Sequence, residues 1–337
     1  MRPSLTAGPQ KLRLPLALAV AGLIFTGVAL AGAHFVIRPM LRSAVERDLT
    51  LAAQQLAGKL DQGMFERWQD ITLGARRQVL RDRAGDASER ELVHEVKARH
   101  SRYAWVGFTD ENCIVRVSTE KSLDGMNVEA RPWCVEARKG PFVGDIHDAV
   151  LLKSRLKDIG QIGLLMDIAV PVRSPANTVT GVLAAHLMAD WLMDANEPVK
   201  GMGPIETAII TSHGQVVLGT GLMDKALESP ALAEVKAGMR EGRWPDGEFV
   251  SVAVATNGSG DFPGFGWTAV ARMPQAQANA PSRRVLVWTL VGGITTTLLM
   301  VAVALLVARR RAEPATPGPV ASEGPLRPII PLRSRPE

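Results

Sequence analysis

Apolar positions recur at different spacings in different stretches of the chain, and each spacing predicts a different element. Residues 14–37 and 285–308 carry no formal charge, and arginines bound both runs, Arg13 and Arg38 for the first, Arg284 and Arg309 for the second. Each run is long enough as a helix to cross about 30 Å of hydrocarbon, so two transmembrane helices are expected. Pro15 and His34 fall near the two ends of the first run, where an interface absorbs an irregular or polar group. A cleaved secretory signal is the competing reading, since Ala31-Gly32-Ala33 resembles a cleavage site. The run exceeds the roughly 7–15 residues of a signal core, which favours an uncleaved anchor.

After the first span, Leu41, Val45, Leu49, Ala52, Leu56, Leu60, Met64, Trp68, Ile71, Ala75 and Val79 recur in steps of three and four. That is one stripe of a helix about 40 residues and 60 Å long, too long for one small domain to cover. A helical stalk is therefore expected within 38–100. Its stripe reads either as packing on its own domain or as pairing in part with a second copy, and both can hold along different turns.

From Tyr103 the period shortens to two. Strands are predicted at 104–109 and 113–118 around an Asp110-Glu111-Asn112 turn, and at 164–172 and 178–187 around Pro175-Ala176-Asn177, with a short helix at 131–138 ended by Gly140. The order then repeats: a hairpin at 205–211 and 215–219, a helix at 230–239, and strands at 249–256 and 266–272. A shift of 102 residues lays Thr109 on Thr211, Asn112 on Gly214, and Ile114 and Val115 on Val216 and Val217. The expected fold class is α+β, with two small lobes in tandem, 101–198 and 199–283, on a long N-terminal helix and flanked by two transmembrane helices.

Charge orients the spans. Residues 1–37 hold three Lys/Arg and no acids, residues 309–337 six Arg against three Glu, and residues 38–284 thirty Lys/Arg against thirty-one Asp/Glu. The basic excess sits on the two tails, 1–13 and 309–337, which are expected to be cytoplasmic, with the middle exported through a bacterial inner membrane. The net charge of +5 is therefore no argument for nucleic acid. Residues 309–337 contain seven prolines; that tail is expected to be disordered and to house no output domain. The two cysteines, Cys113 and Cys134, both lie in the exported part, either as a disulfide or as two buried thiols.

Four stretches taken together carry a family resemblance: Trp105-Val-Gly-Phe-Thr-Asp110, Arg131-Pro-Trp133, Gly140-Pro-Phe-Val-Gly-Asp-Ile-His-Asp-Ala149, and Asp167-Ile-Ala-Val-Pro-Val172 leading to Gly181-Val-Leu-Ala-Ala-His186. In this order and spacing, residues 103–187 resemble the membrane-distal lobe of the double Cache family, the extracytoplasmic sensor modules of bacterial chemoreceptors, histidine kinases and diguanylate cyclases. With the second lobe counted, the resemblance covers residues 40–275. It implies two PAS-like lobes, with ligand held in the distal one and Arg131 and Trp133 facing it. An Arg there forks onto a carboxylate or phosphate, and a Trp supplies an apolar wall. Two departures bear on the ligand. The amino-acid-binding branch has an aromatic where this chain has Cys134, and an Asp where it has His186. An α-ammonium group loses an anionic partner, and a small organic acid gains ground.

Other polar residues complete the candidate site. Asp145, His147 and Asp148 suit a metal by type and spacing, but such a cluster more often forms a loop between helix and strand, and no metal or other cofactor is expected. Asp167, inside an apolar strand, needs a partner if buried. His186 reads equally as core residue or ligand contact, and Trp105 as core or pocket wall. No Walker loop, Gly-x-Ser-x-Gly, His-Glu-x-x-His or Cys-x-x-Cys is present, so the chain is not expected to be an enzyme. The expected function is a membrane-anchored sensor of a small organic ligand, with an anion favoured, dimeric through its stalk and without an output domain, either signalling through a membrane partner in trans or only binding ligand. The rival is an anchored protein-assembly platform with a Cache-like fold, and a periplasmic enzyme comes third.

Overall fold

The computed structural model describes residues 9–156, 163–196, 203–218, 240–244 and 246–310. The helix expected at 230–239 and the proline-rich tail beyond Arg310 lie outside the described residues. The chain divides into two units, Arg38–Arg283 and the terminal segments Met1–Ile37 with Arg284–Glu337.

Within the first unit, the amphipathic stripe forms α2 (Arg38–Ala75), burying Leu49, Leu56, Leu60, Met64, Trp68 and Ile71. The stripe was expected to run unbroken through Val79, but α2 ends at Ala75. There the last turn tightens, with Arg76 N–H donating to Leu73 O and Arg77 N–H to Gly74 O. The apolar spacing survives the break because the next turn, α3 (Gln78–Arg81), sends Leu80 into the same core. Helix α4 (Asp86–Arg99) has Asp86 and Glu89 in its first turn and Lys97 and Arg99 in its last, the arrangement the helix dipole favours.

The first sheet holds β1 (Tyr103–Thr109), β2 (Val115–Ser118), β3 (Phe142–Asp148), β4 (Leu164–Arg173) and β5 (Val179–Met188), in the order β2-β1-β5-β4-β3 with antiparallel neighbours. One face packs on α2 and α4. The other packs under α5 (Pro132–Ala137) and the segments around it. Cys113 and Cys134 are joined by a disulfide with Cα atoms 6.1 Å apart, tying the β1–β2 connection to α5. After α6 (Trp191–Asn196), the second sheet holds β6 (Glu206–Ile210), β7 (Val216–Leu218), β8 (Arg240–Trp244), β9 (Gly247–Ala255) and β10 (Thr268–Pro274), in the order β7-β6-β10-β9-β8. It repeats the strand order of the first.

Two strands are absent from the sequence reading. The Asp145–Asp148 stretch, expected as a loop, belongs to β3. This strand lies at an edge, is half-exposed, and has a register shift between Gly144 and His147 that breaks its alternation, so no period of two marks it. β8 is the corresponding edge of the second sheet.

In the terminal unit, α1 (Pro9–Gly32) leads into a π-helical turn (Ala33–Ile37), and residues 284–310 belong to α7 (Gln275–Arg310). The helices beginning in α1 and α7 are long and apolar enough to cross a membrane. A Cβ on Gly22 would meet Thr297, and one on Gly293 would meet Thr26, so glycine lets the two backbones approach closely.

One polar group stands out in the second sheet. Arg272 of β10 is fully buried, stacked between Trp244 and Phe249 at 4.7 and 4.0 Å, and forks onto Asp246 at 2.8 and 2.6 Å and Glu206 at 2.9 Å. Arg272→Ala removes the cation and its packing. Because both carboxylates are about a third exposed, the expected loss is about 2–3 kcal/mol, below the 3–5 of a wholly buried pair. Denaturant unfolding of the purified protein in detergent checks it.

Candidate ligand-binding site

Strands β4 and β5 alternate strictly, and this alternation builds the site. Met166, Ile168 and Val170, with Leu183, Ala185 and Leu187, face α2, while Leu165, Ala169, Val182 and Ala184 belong to the opposite core. Asp167 and His186 fall on that opposite face by the same period of two. Register lines up a row across four strands: Gly144 pairs with Asp167, Asp167 with His186, and His186 with Trp105. His147, three residues from Gly144, would point to the other face in a regular strand. On β3 three residues pass from Gly144 to His147 while β4 advances only two, from Asp167 back to Leu165. That extra residue is a β-bulge, and it returns His147 to the face of Asp167.

The row borders a cavity of about 490 Å³. Leu123, Trp133, Phe142, Leu152 and Leu165 supply apolar wall, and Arg131, Asp145, His147, Asp148, Asp167 and His186 supply the polar lining. Arg131 precedes α5 and is half-buried; among the described residues its guanidinium has no acidic partner. Trp105, expected as a candidate pocket wall, does not line the cavity. It is fully buried behind it, with its ring 5.8 Å from Trp133 and 5.0 Å from His186. The Trp105 ring occupies the space a Cβ on Gly107 would need, so glycine at 107 lets it lie flat on its own strand.

Asp145 has a second role that spacing could not reveal. It lines the cavity, yet its carboxylate is held by groups of the second sheet's side of the unit: Trp267 Nε1–H donates to Oδ1 at 2.8 Å and Ser212 Oγ–H to Oδ2 at 3.1 Å. Trp267 immediately precedes β10 and Ser212 sits in the turn between β6 and β7. One side chain thus connects the cavity to both.

Asp167 is the electrostatic centre. Burial pushes its carboxyl up, but the charges and hydrogen bonds of His186 and His147 outweigh burial and hold it well below the usual carboxylate range. His147 Nε2 lies 2.9 Å from Asp167 Oδ1, and His186 Nδ1 makes a short hydrogen bond to the same oxygen. The hydrogen bond to Asp167 raises His147 to about 9, against partial burial. The three donor atoms lie within 4.8 Å of one another. The arrangement gives one buried carboxylate two imidazole hydrogen-bond partners and still presents imidazole, guanidinium and apolar wall to a small molecule.

No protein-family model matches the chain, and no curated protein matches it in sequence. Solved structures do match. The ligand-binding domain of the Pseudomonas aeruginosa amino acid chemoreceptor PctB, in complex with L-Arg, is similar with a TM-score of 0.55 and 14% identity over 71% of this chain and 98% of that one. The sensory domain of the Campylobacter jejuni chemoreceptor Tlp3 is similar at 0.56 and 13% identity, over 72% and 98%. An extracellular ligand-binding receptor from Desulfohalobium retbaense is similar at 0.50 and 12% identity over 67% of this chain, which spans 40% of that receptor's length. The likeness is one of fold: mixed helix and sheet, a long N-terminal helix and two antiparallel sheets, as in double Cache sensor domains. These neighbours are sensory ligand-binding domains, not enzymes.

Two outcomes are expected from this geometry. The stability contributed by His147 is complete below its ordinary 6.5 and lost as pH rises through about 9, and that of Asp167 is complete above its ordinary 3.8 and lost as pH falls from there. In EDTA-containing buffer the thermal midpoint should therefore peak between about pH 4 and 6.5. His147→Gln, which keeps a donor for Asp167, should flatten the alkaline limb; an equally steep limb would refute the assignment. Asp145→Ala orphans the buried Trp267 N–H and should cost about 1–3 kcal/mol. Adding Trp267→Phe should recover part of that loss, as a double-mutant cycle would read out.

Proposed function

We propose that the chain is a membrane-anchored extracytoplasmic sensor that binds a small organic carboxylate in the cavity on its first sheet. The observation that carries this reading is the cavity itself, with apolar walls and one half-buried guanidinium, Arg131, that has no acidic partner among the described residues. A pocket of that make-up orients a small molecule by a few polar groups while its walls exclude water. PctB binds an amino acid, as its complex with L-Arg states. Here Asp167 is already matched by two histidines, which leaves less negative charge for an α-ammonium and supports a ligand that is an anion alone.

The two apolar helices support anchoring by two spans, with both tails on the cytoplasmic side and the Arg38–Arg283 unit in the periplasm. Coupling is read through Asp145: a ligand that moves β3 loads the hydrogen bonds to Trp267 and Ser212 and so reaches the second sheet. Ligand shifts such an equilibrium only by its differential affinity for the two arrangements. The motion then passes through the spans to a membrane partner in trans. Dimerisation along α2 is supported by its exposed Met40, Leu51 and Leu73, whose spacings in multiples of eleven keep them on one face.

The test is a thermal-shift series on the full chain in detergent, with EDTA, against mono-, di- and tricarboxylates, amino acids and polyamines. A binding carboxylate at 100 times its dissociation constant should add about 2.7 kcal/mol, or roughly 5–10 °C, and Arg131→Ala should abolish the shift. A well-folded protein that responds to amino acids and not to simple carboxylates would overturn the ligand class. No response to any small molecule would move the reading to a protein-assembly platform.

A further inference from the structure

We infer that His147, Asp167 and His186 form a binding site for one divalent first-row transition ion of the zinc or nickel kind, with an open coordination position facing the cavity. The donor set differs from the local Asp145-His147-Asp148 cluster visible in the sequence, since the register of three strands assembles it. It also stands apart from the carboxylate reading, because an ion can occupy these groups whether or not an organic ligand is present.

The chemistry of the three groups fits. Two imidazole nitrogens and one carboxylate oxygen are the donors such ions take, and three protein ligands with a free position is the arrangement of exchangeable sites. All three atoms already lie within 4.8 Å of one another. An ion with bonds of about 2.0–2.2 Å needs its ligands about 3.3–3.6 Å apart. The present 2.9 Å between His147 Nε2 and Asp167 Oδ1 must therefore open by about half an ångström, a small rotation for a ring on a bulged edge strand. His147, with 41% of its side chain exposed against 9% for Asp167 and 7% for His186, is the freest to move, and the 2.5 Å between His186 Nδ1 and the same Oδ1 must open further, by about an ångström, through rotation of the Asp167 carboxylate.

A second observation points the same way. His147 Nδ1 lies 2.9 Å from the carbonyl oxygen of Asp148, which can only accept, so Nδ1 carries its proton and donates it there. Nε2, the atom aimed at Asp167, donates its proton to that carboxylate, and an ion takes the position by displacing this proton. An imidazole whose far N–H is fixed on a backbone carbonyl is what orients histidines toward metal ions. Around the site, Gly144 keeps the carboxylate uncovered: a Cβ there would come within 3.1 Å of Asp167 Oδ2.

The experiment uses tag-free full-length protein in detergent, stripped with EDTA and exchanged into chelator-free buffer, titrated calorimetrically with zinc chloride, nickel chloride and, as a hard-ion control, magnesium chloride. One zinc or nickel ion per chain is expected, with a raised thermal midpoint and no response to magnesium. His147→Gln and His186→Gln should each weaken zinc at least about tenfold, while His94→Gln, an exposed histidine on α4, should leave it unchanged. Cobalt(II) added to the wild-type chain reports the site without any substitution, through the visible absorption of a nitrogen- and oxygen-ligated ion. No heat and no midpoint shift with zinc or nickel would overturn the assignment, as would an unchanged cobalt spectrum or zinc binding that survives both histidine substitutions. The carboxylate series is run with EDTA present, so loss of the ion site leaves that reading to be judged on its own data.

Discussion

The Arg38–Arg283 unit depends on the buried stripe of α2. Leu49, Leu56, Leu60, Met64, Trp68 and Ile71 belong to one continuous core that also takes in β1, β4 and β5 of the first sheet and β9 and β10 of the second. Each sheet buries a face on this helix, so neither has a complete core without it. Removing these side chains from water is the main favourable term on both sides. Any rearrangement of one sheet is therefore felt along the helix that the other sheet shares. Gly63 and Gly74 mark how closely this packing is drawn, since a Cβ at either would strike Trp191 or Leu183.

A second constraint follows on the opposite face of the first sheet. Asp167 is forced inward by the alternation that sends Met166 and Ile168 to the α2 core. An ionised carboxylate in that setting is tolerated only when matched by charge and hydrogen bonds. His186 does this from the neighbouring strand in direct register, and His147 from the other neighbour by way of a bulge. The result is a polar row set into an otherwise apolar surface, with a cavity above it and the unmatched Arg131 across it. Fold and charge together explain why chemistry collects at this place, whereas the buried Arg272 guanidinium is matched by the part-exposed Glu206 and Asp246.

Asp145 links the two constraints. It lies one residue beyond Gly144 in the bulged stretch of β3, and its carboxylate is held by Trp267 and Ser212. Asp145 lies two residues before His147 in the same irregular stretch. The candidate site and the contact between the sheets share three residues of backbone, 145–147.

Much of this was legible in the residues. The step of three and four marked α2 and the period of two marked β4 and β5, because side-chain direction within an element follows from backbone period, but only the register between the strands put Asp167 and His186 side by side. The repeat in spacing anticipated the common strand order of the two sheets. The break of α2 at Ala75 was hidden because Leu80 continues the apolar rhythm from a separate turn. Strand β3 was hidden because an exposed, bulged edge has no alternation to read, and with it went the placement of His147. Trp105 read as core or as pocket wall, and the absence of a side chain at Gly107 lets its ring fold into the core. Local sequence determined the helix and strands whose apolar period is regular and, within them, which residues alternate to which side. Tertiary structure alone decided which faces meet, since register, bulges and contacts such as that of Asp145 with Trp267 join residues 122 apart in the chain, beyond the reach of any local period.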